Sequence, residues 1–228
     1  MDWLFVIPAR AGSQRLPGKN VKPLGGKPLI SYTVEAARQV TEDRNIFVST
    51  DSSSIKELVE ATGLEVPALR PKTLAGHHSG MREVLLHALT IKNTPDHTFD
   101  GMVLLQPTSP FRTATHIREA MSLFQSNLDM VVSVKLTSAN PYYVLFEEDT
   151  SGFLYKSKEG HFVRAQDCPP VYELNGAIYV INTKSLEQKT MSAFTRVRKY
   201  VMDEASSLDI DTPLDWLVAE TLLHRLKA

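Results

Sequence analysis

The segment between Trp3 and Val34 carries positive charge that no acidic residue balances, and glycines interrupt it. Its cations are Arg10, Arg15, Lys19, Lys22 and Lys27. Gly12 and Gly18 let the backbone turn tightly and approach a ligand closely, since glycine has no Cβ. Backbone amides in such a turn bind anions together with guanidinium and ammonium groups. A basic stretch without such glycines is more often a solvated loop, whereas the glycine pattern here favours a phosphate-binding loop.

The spacing within this segment excludes two familiar phosphate-binding motifs. Residues 7–20 read IPARAGSQRLPGKN. The P-loop has four residues between its glycines and a Ser or Thr after its Lys, whereas five residues separate the glycines here and Asn20 follows Lys19. The segment also lacks the GxGxxG spacing of a dinucleotide-binding turn. The remaining interpretation is the phosphate loop of a nucleotidyltransferase.

Two aspartates close to the C-terminus have the spacing of a metal site. One residue separates Asp209 from Asp211, so an extended chain would direct both carboxylates to the same side. Two such carboxylates can share a hard divalent cation such as Mg²⁺. Capping of the following helix is the alternative role, but Thr212, Pro213 and Asp215 can supply that cap by themselves. The pattern therefore predicts a magnesium site at the two aspartates.

These residues must be held by an α/β framework, because apolar runs alternate with amphipathic stretches along the chain. The predicted strands are residues 3–7, 46–50, 65–68, 101–106, 130–134, 177–181 and 198–202. The predicted helices are residues 29–40, 53–62, 81–92, 113–124 and 213–225. This alternation predicts a mainly parallel, Rossmann-like sheet flanked by helices, with ligands at the carboxyl ends of the strands.

Residues 137–172 break this alternation. Pro, Gly, Asp and Ser separate two short aromatic-rich pieces, residues 142–148 and 152–156, which predicts a β-hairpin. With 43% hydrophobic and 22% charged residues, residues 1–228 are expected to form a single nucleotidyltransferase domain. The hairpin would extend from it as an arm for dimerisation or substrate binding.

Charge, hydropathy and cysteine content exclude several classes of protein. A formal net charge of -1 provides neither a broad basic surface for nucleic acid nor a bias toward a membrane. The chain has no run of about eighteen apolar residues, and Pro8 and Arg10 come too early for a secretory leader. The single cysteine, Cys168, excludes an internal disulfide framework and lacks the neighbours of a zinc site. A cytoplasmic protein is therefore expected.

The N-terminal motif resembles that of the CMP-sialic acid synthetases, also called acylneuraminate cytidylyltransferases. Their signature is Ala-Arg-x-x-Ser followed by Lys-Asn, which is matched by Ala9, Arg10, Ser13, Lys19 and Asn20. The resemblance implies that the last four of these residues hold CTP, with Lys19 on the phosphates near the scissile bond.

The resemblance also implies a reaction. The anomeric hydroxyl of an acidic 2-keto sugar would attack the α-phosphorus of CTP and release pyrophosphate. Arg10, Arg15 and Lys19 would stabilise the charge that grows on the pyrophosphate. Magnesium on Asp209 and Asp211 would bridge phosphate oxygens, which makes Asp211 catalytic together with Arg10 and Lys19. No general base is evident, and the resemblance implies a homodimer.

Three further segments extend the resemblance over almost the whole chain. They are FVSTD at residues 47–51, LQPTSPFR at 105–112 and NGAIY at 175–179. The resemblance implies that Gln106, Asn175 and Tyr179 contact the acidic sugar, and it places Arg70 in the loop beside the cytosine. On the residues alone, Gln106 could equally cap the loop that follows it, and Asn175-Gly176 could simply form a turn.

Other positions depart from the family pattern. Many relatives have Lys-Gly where this chain has Gln14-Arg15, and the stretch from Arg15 to Lys19 resembles the Kdo cytidylyltransferases instead. Ala165 replaces the second of two arginines that precede Gln-Asp in the family. Arg164 would then have to bind the sugar carboxylate from a shifted position.

Two more departures leave the identity of the sugar open. Tyr142 and Tyr143 stand where many relatives have a lysine, and Gly76-His77-His78 replaces an aspartate of the cytosine-side loop. The sugar could be N-acylneuraminic, legionaminic or pseudaminic acid, or alternatively Kdo or Kdn. A glycosyltransferase with an Asp-x-Asp metal motif and a non-catalytic nucleotide-binding paralogue are the remaining alternatives. Release of pyrophosphate from CTP separates both of them from a cytidylyltransferase.

Overall fold

A six-stranded sheet lies at the centre of the computed structural model, which describes residues 1–13, 15–76 and 80–227. The strands of the described chain are β1 (Trp3–Pro8), β2 (Pro23–Leu24), β3 (Lys27–Pro28), β4 (Ile46–Ser49), β5 (Gly101–Leu105), β6 (Met130–Leu136), β7 (Phe146–Glu148), β8 (Leu154–Lys156), β9 (Tyr172–Asn182) and β10 (Val197–Val201). The order in the central sheet is β10-β6-β9-β5-β1-β4. β1 is parallel to β4 and β5, and β6 is parallel to β10, whereas β9 is antiparallel to both of its neighbours. The predicted mainly parallel α/β fold is confirmed.

Helices cover both faces of this sheet. They are α1 (Leu29–Arg38), α2 (Ser53–Glu60), α3 (Met81–Lys92), α4 (Ala114–Ser122), α5 (Thr183–Gln188) and α6 (Pro213–Lys227). Apolar residues of α1, α2 and α4 pack on one face, and those of α3 and α5 pack on the other. Within the described ranges, no helix combines the length and the apolar character needed to cross a membrane.

The alternation of side chains along β1 explains why both faces need cover. Phe5 and Ile7 belong to the core layer with α1, α2 and α4, whereas Leu4 and Val6 belong to the layer with α3 and α5. All four side chains are at most 1% exposed. Successive residues of a strand point to opposite faces, so a strand that is apolar at every position must be buried on both sides.

One predicted strand, residues 65–68, is wrong. The segment has no regular secondary structure and belongs to no sheet, although Val66 is fully buried. Side chains of α2 satisfy its backbone instead, because Lys56 Nζ donates to Val66 O and Glu60 Oε1 accepts from Val66 N. Pro67 has no N–H to offer a neighbouring strand.

β9 is longer than the strand predicted there, and its antiparallel direction, which a mainly parallel sheet allows, was not predicted. β9 spans Tyr172–Asn182 instead of residues 177–181, and it runs antiparallel between β5 and β6. The short helix α5 and the small hairpin of β2 and β3 were not predicted. The predicted hairpin within residues 137–172 is present as β7 and β8. Its use as a dimerisation or substrate arm stays a prediction, as does the single domain.

Candidate active site

A cleft of about 540 Å³ opens beside the carboxyl ends of β1 and β5. The predicted site residues that line it are Arg10, Ser13, Arg15, Lys19, Asn20, Arg70, Gln106, Asp209 and Asp211. Segments far apart in the sequence therefore meet where an α/β sheet normally binds its ligand. Three predicted site residues, Arg164, Asn175 and Tyr179, are not among the lining residues.

Backbone hydrogen bonds hold the N-terminal loop over the end of the sheet. Ala9 N donates to Ser49 O at 2.9 Å, which extends the pairing of β1 with β4 by one residue. Ala11 N then donates to the Asp51 carboxylate at 2.8 Å. Gly18 has a φ of 68°, a conformation that a residue with a Cβ rarely adopts. The predicted tight turn is thus present, and Asp51, which carried no predicted role, fixes the start of the loop.

Asn20 joins the end of the N-terminal loop to its beginning. Its Nδ2 donates to Arg10 O at 3.2 Å, and the residue is 6% exposed. Its Oδ1 is buried and accepts no hydrogen bond from any part of the chain that the structure describes. A buried acceptor without a donor costs free energy, which a donor group on a ligand would recover.

Lys19 joins the loop to the aspartate segment. Its Nζ donates to Ile210 O at 2.8 Å and to Asp211 Oδ1 at 2.7 Å. The Lys19 side chain is 10% exposed, whereas Asp211 is 48% exposed. Arg15 lies 3.7 Å from the other carboxylate oxygen of Asp211, but its side chain is 73% exposed, so this contact is weak. A buried ammonium group is therefore fixed at the junction of the two predicted site segments.

A hydrophobic cluster beneath this junction explains the orientation of the two aspartates. Ile210 is fully buried and packs with Leu16, Leu24 and Trp216. Since the side chain between Asp209 and Asp211 points into this cluster, both carboxylates face the cleft. The cluster also holds the N-terminal loop and α6 together.

The predicted cap of α6 is confirmed. Thr212 Oγ1 accepts from Asp215 N at 3.3 Å, and Asp215 Oδ2 accepts from Thr212 N at 2.7 Å. Asp215 also accepts from Asp211 N at 3.0 Å. Neither Asp209 nor Asp211 uses its carboxylate in this cap, so both remain available to the cleft.

The environment of Asp209 favours its neutral form. Burial raises the pKa of Asp209, a hydrogen bond from Thr108 lowers it, and the nearby charge of Asp211 raises it again. The segments are further joined because Ile210 N donates to Thr108 O at 2.8 Å. A carboxylate with a raised pKa beside a second carboxylate is stabilised by any cation that binds there.

Arg70 lies buried on the opposite wall of the cleft. Its Nε donates to Ser49 Oγ at 3.0 Å and its Nη2 to Ser49 O at 2.6 Å. Burial lowers the pKa of Arg70, the charge of Asp51 raises it and that of Arg10 lowers it. The end of β4 therefore positions this cation. His77 and His78, which follow Arg70 in the same loop, lie outside the described residues.

Gln106 forms the floor at the far end of the cleft, and Tyr179 lies behind it. Tyr179 is hydrogen-bonded to the Gln106 side chain and lies near Asp209. Burial and the charge of Asp209 raise the pKa of Tyr179, while the hydrogen bond lowers it. Tyr179 thus supports two lining residues from behind, and a sugar contact of its own stays a prediction.

Asn175 is buried and its side chain is used inside the protein. Its Oδ1 accepts from Ser133 Oγ at 2.6 Å and its Nδ2 donates to Ser207 Oγ at 2.9 Å. The amide thereby joins β6 and β9 to the segment that precedes Asp209. The structure does not bring this side chain into the cleft, and its predicted sugar contact stays a prediction.

Arg164 lies in the arm and not in the cleft. Its guanidinium makes two 2.9 Å hydrogen bonds to the Asp167 carboxylate, and its side chain is 64% exposed. Its predicted contact with a sugar carboxylate therefore stays a prediction. The nearby Tyr142 packs edge to face against Phe162 within the arm.

Sequence reasoning assigned no role to Asp51, Thr108 or Arg112, although the segments that contain them were singled out. Asp51 directly follows a buried strand and faces the cationic loop, a signal that the sequence did carry. Thr108 donates to Asp209, and Arg112 is buried beneath Gln106. The contact between Thr108 and Asp209 could not be found from the sequence, because it joins segments that the sequence keeps apart. Arg112 and Gln106 lie in the same segment, but no sequence signal indicated that the guanidinium turns back to the Gln106 carbonyl.

Comparison with known proteins identifies relatives of the chain. The chain is 38% identical over 226 residues to a CMP-N,N'-diacetyllegionaminic acid synthase of Legionella pneumophila, covering 98% of this chain and 97% of that protein. It is 36% identical over 224 residues to an N-acylneuraminate cytidylyltransferase of Escherichia coli. That match covers 97% of this chain and 52% of the Escherichia coli protein.

A pseudaminic acid cytidylyltransferase of Campylobacter jejuni is 27% identical over 223 residues, covering 97% of this chain and 96% of that protein. Among solved structures, a CMP:2-keto-3-deoxy-manno-octonic acid synthetase complexed with CTP has a TM-score of 0.73 at 19% identity, covering 99% of this chain and 100% of that one. That likeness shows a shared fold. Because the family model described as Cytidylyltransferase matches residues 4–223, the chain belongs to the cytidylyltransferase family.

Proposed function

We propose that the chain transfers CMP from CTP to the anomeric hydroxyl of a nonulosonic acid of the legionaminic, N-acylneuraminic or pseudaminic type and releases pyrophosphate. The names of its relatives support this choice of substrates. The single observation that carries it is the position of Lys19, which is buried between the cationic loop and the aspartate pair in one cleft.

The cationic end of the cleft would bind the triphosphate. Of the three N–H donors of Lys19, two are used by Ile210 O and Asp211 within the described chain, so one is free for a phosphate oxygen. Arg10 and Arg15 line the same end and would stabilise the charge that grows on the departing pyrophosphate. The buried Asn20 Oδ1 would accept from a hydroxyl of the nucleotide, which satisfies its missing hydrogen bond.

The aspartate pair fits magnesium. Among residues 1–13, 15–76 and 80–227, no group of three or more His, Cys, Asp or Glu side chains could hold a metal. Magnesium, however, is commonly held by one or two carboxylates together with substrate phosphates. Asp209 and Asp211 provide that number of carboxylates beside the cationic loop. When bound, magnesium would supply positive charge to the phosphate oxygens.

The end of the cleft at Gln106 would bind the acidic sugar. Gln106 lies beside Asp209, since a Cβ placed on Gly176 would be 3.9 Å from both the Gln106 Nε2 and an Asp209 carboxylate oxygen. A sugar hydroxyl held there would lie between the Gln106 amide and the phosphate end. The protein would contribute alignment and charge neutralisation, without a covalent intermediate.

We further propose a homodimer formed through the arm and the adjoining first residues of β9. Large apolar side chains are exposed there: Phe153 at 71%, Leu154 at 69%, Val163 at 87% and Leu174 at 59%. Exposed apolar side chains gathered in one region are typical of an interface. A cytoplasmic location stays a prediction.

One panel of reactions tests the proposed function. Purified protein is incubated with CTP or UTP, magnesium and, in separate reactions, legionaminic, N-acetylneuraminic, pseudaminic, Kdn and Kdo acids, and pyrophosphate release is measured. We expect release with CTP and at least one of the first three acids. Preference for Kdo or Kdn would change the proposed sugar. Binding of CTP without release in any reaction would contradict the proposed function and favour a non-catalytic paralogue. Transfer of a sugar from an added nucleotide-sugar donor, again without pyrophosphate release, would favour a glycosyltransferase.

A further inference from the structure

Arg112 is a buried cation that the proposed reaction does not use. It follows β5 in the loop before α4 and is 3% exposed. Burial lowers the pKa of Arg112 to about 9, and no neighbouring charge contributes to that change. Its hydrogen-bond acceptors in the described chain are neutral oxygens. A buried charge without an acidic partner is costly, so its presence calls for a specific task.

The hydrogen bonds of Arg112 begin where the sheet ends. The pairing of β5 with β9 stops at Leu105 and Ile178. The two carbonyls just beyond that pair belong to Gln106 and Ala177, and Arg112 Nη1 donates to them at 3.0 and 2.9 Å. One guanidinium nitrogen thus sets the distance between two strand ends that no longer bond to each other.

The second nitrogen fixes the orientation of the guanidinium plane. Arg112 Nη2 donates to Thr33 Oγ1 of α1 at 2.6 Å, and Thr33 is fully buried. The Thr33 hydroxyl in turn donates to Gln106 O at 3.5 Å. Arg112 therefore joins three elements, β5, β9 and α1, directly beneath the residue that forms the floor of the cleft.

We infer that Arg112 is a positioning residue that sets the Gln106 side chain, and with it the sugar-acid end of the cleft, without contacting substrate. The inference rests on the proposed function for the identity of that substrate. It follows from geometry, because Gly176 precedes Ala177 and lies beside both Gln106 Nε2 and Asp209. Within the described residues, no hydrogen bond or ion pair joins Arg112 to Asp51 or Ile210, which anchor the triphosphate end.

A conservative substitution separates this role from general support of the fold. Arg112→Lys keeps the charge but loses the planar fork that reaches the carbonyls and Thr33 together. We expect the KM for the acidic sugar to rise about tenfold or more, since a displacement of about 1 Å can cost about a hundredfold. The Kd for CTP without sugar should stay within about twofold, because its binding residues are held by other contacts.

The matched control is Arg118→Lys on α4, where an exposed arginine donates to the Gln39 carbonyl. It should leave both constants unchanged. If Arg112→Lys does not fold, Thr33→Val removes the Nη2 acceptor and the long 3.5 Å hydrogen bond to Gln106 O, and it should raise the same KM by a smaller factor. Parallel changes in the CTP Kd and the sugar KM, or no change in either, would overturn the inference.

A second measurement does not depend on turnover. The side-chain amide of Gln106 is observed by NMR in ¹⁵N-labelled protein and assigned with the Gln106→Glu variant. Arg112→Lys should shift that signal, whereas Arg118→Lys should not. If the wild type binds CTP but releases no pyrophosphate with any acid, the proposed function fails while this signal still decides the role of Arg112. An unmoved Gln106 signal would refute it.

Discussion

Replacing Lys19 by alanine is expected to lower turnover of CTP by about a hundredfold or more, the loss typical of removing one preorganised charge donor. The Nζ atom lies 2.8 Å from Ile210 O and 2.7 Å from Asp211 Oδ1, so its position is fixed before substrate binds. A hundredfold loss corresponds to about 2.7 kcal/mol of transition-state stabilisation. Mobile water in the vacated space would replace the charge poorly, because it is not held in place.

The same substitution should leave the protein folded. Asp211 is 48% exposed, so the ion pair contributes at most about 1 kcal/mol to the free energy of unfolding. Loss of the hydrogen bond to Ile210 O adds about 1 to 2 kcal/mol. Urea unfolding measures this sum. Lys19→Met, which retains most of the apolar side chain, should lose activity to the same extent while losing less stability.

The assay is pyrophosphate release at saturating CTP, magnesium and the acid that the panel identifies. Lys22→Ala is the control in the same loop, since Lys22 is exposed and its Nζ lies 4.2 Å from the centre of the Trp216 ring instead of lining the cleft. Its turnover should stay within about twofold of wild type. A folded Lys19→Ala protein with near wild-type turnover, or an equal loss in Lys22→Ala, would refute the reasoning.

Three other substitutions test the metal site, the core and the arm. Asp211→Asn should raise the magnesium concentration for half-maximal activity by about tenfold or more with unchanged circular dichroism, since one carboxylate is lost; an unchanged titration excludes the role. Asp129→Asn should cost about 2 to 4 kcal/mol in urea at pH 7, because Asp129 accepts from Ser185 Oγ and from two backbone amides. Hydrogen bonds from the Arg196 backbone and then from Ser185 lower the pKa of Asp129 in the folded protein. Its contribution to the free energy of unfolding is therefore present above the unfolded pKa of 3.8 and is lost as the pH falls through the folded pKa. A stability difference between wild type and Asp129→Asn that stays constant down to acid pH contradicts this. Phe153→Asp should give a monomer in light scattering, whereas Leu214→Asp on α6, at similar exposure, should leave the oligomer unchanged; a dimer in both removes the arm from the interface.

The sequence predicted the parts of the structure that depend on local patterns. The spacing of apolar residues indicated the helices and strands in which these residues recur regularly. The spacing of Asp209 and Asp211 indicated that both carboxylates face the same side of the chain. Strand direction is different, because β9 has the same apolar pattern whether it runs parallel or antiparallel. The short segment at residues 65–68 was misread for a related reason. The side chains of Lys56 and Glu60 satisfy its backbone hydrogen bonds. Periodicity cannot show whether a side chain or a neighbouring strand supplies such a bond.

Long-range contacts of the site were equally hidden. Thr108 meets Asp209, and Arg112 reaches Thr33 across 79 residues. The loop and the aspartate pair were predicted separately, and the packing of Ile210 with Leu16 and the hydrogen bonds of Lys19 explain why they meet. Phosphate and metal binding could be predicted from residue types. The positions of the residues that support the site could be identified only in the folded structure.

The triphosphate end of the cleft and the departures from the family pattern lie in different parts of the chain. The triphosphate end is built from contacts between loop segments beside the sheet, such as Ala11 to Asp51 and Lys19 to Asp211. Two departures from the family pattern, Ala165 and the tyrosine pair at residues 142–143, lie in the arm instead. If the arm contributes to binding the acid, as the sequence predicts, substitutions there would change which acid is accepted while the contacts of the triphosphate end stay intact. Such a separation would let one cytidylyltransferase framework serve relatives named for legionaminic, N-acylneuraminic and pseudaminic acids.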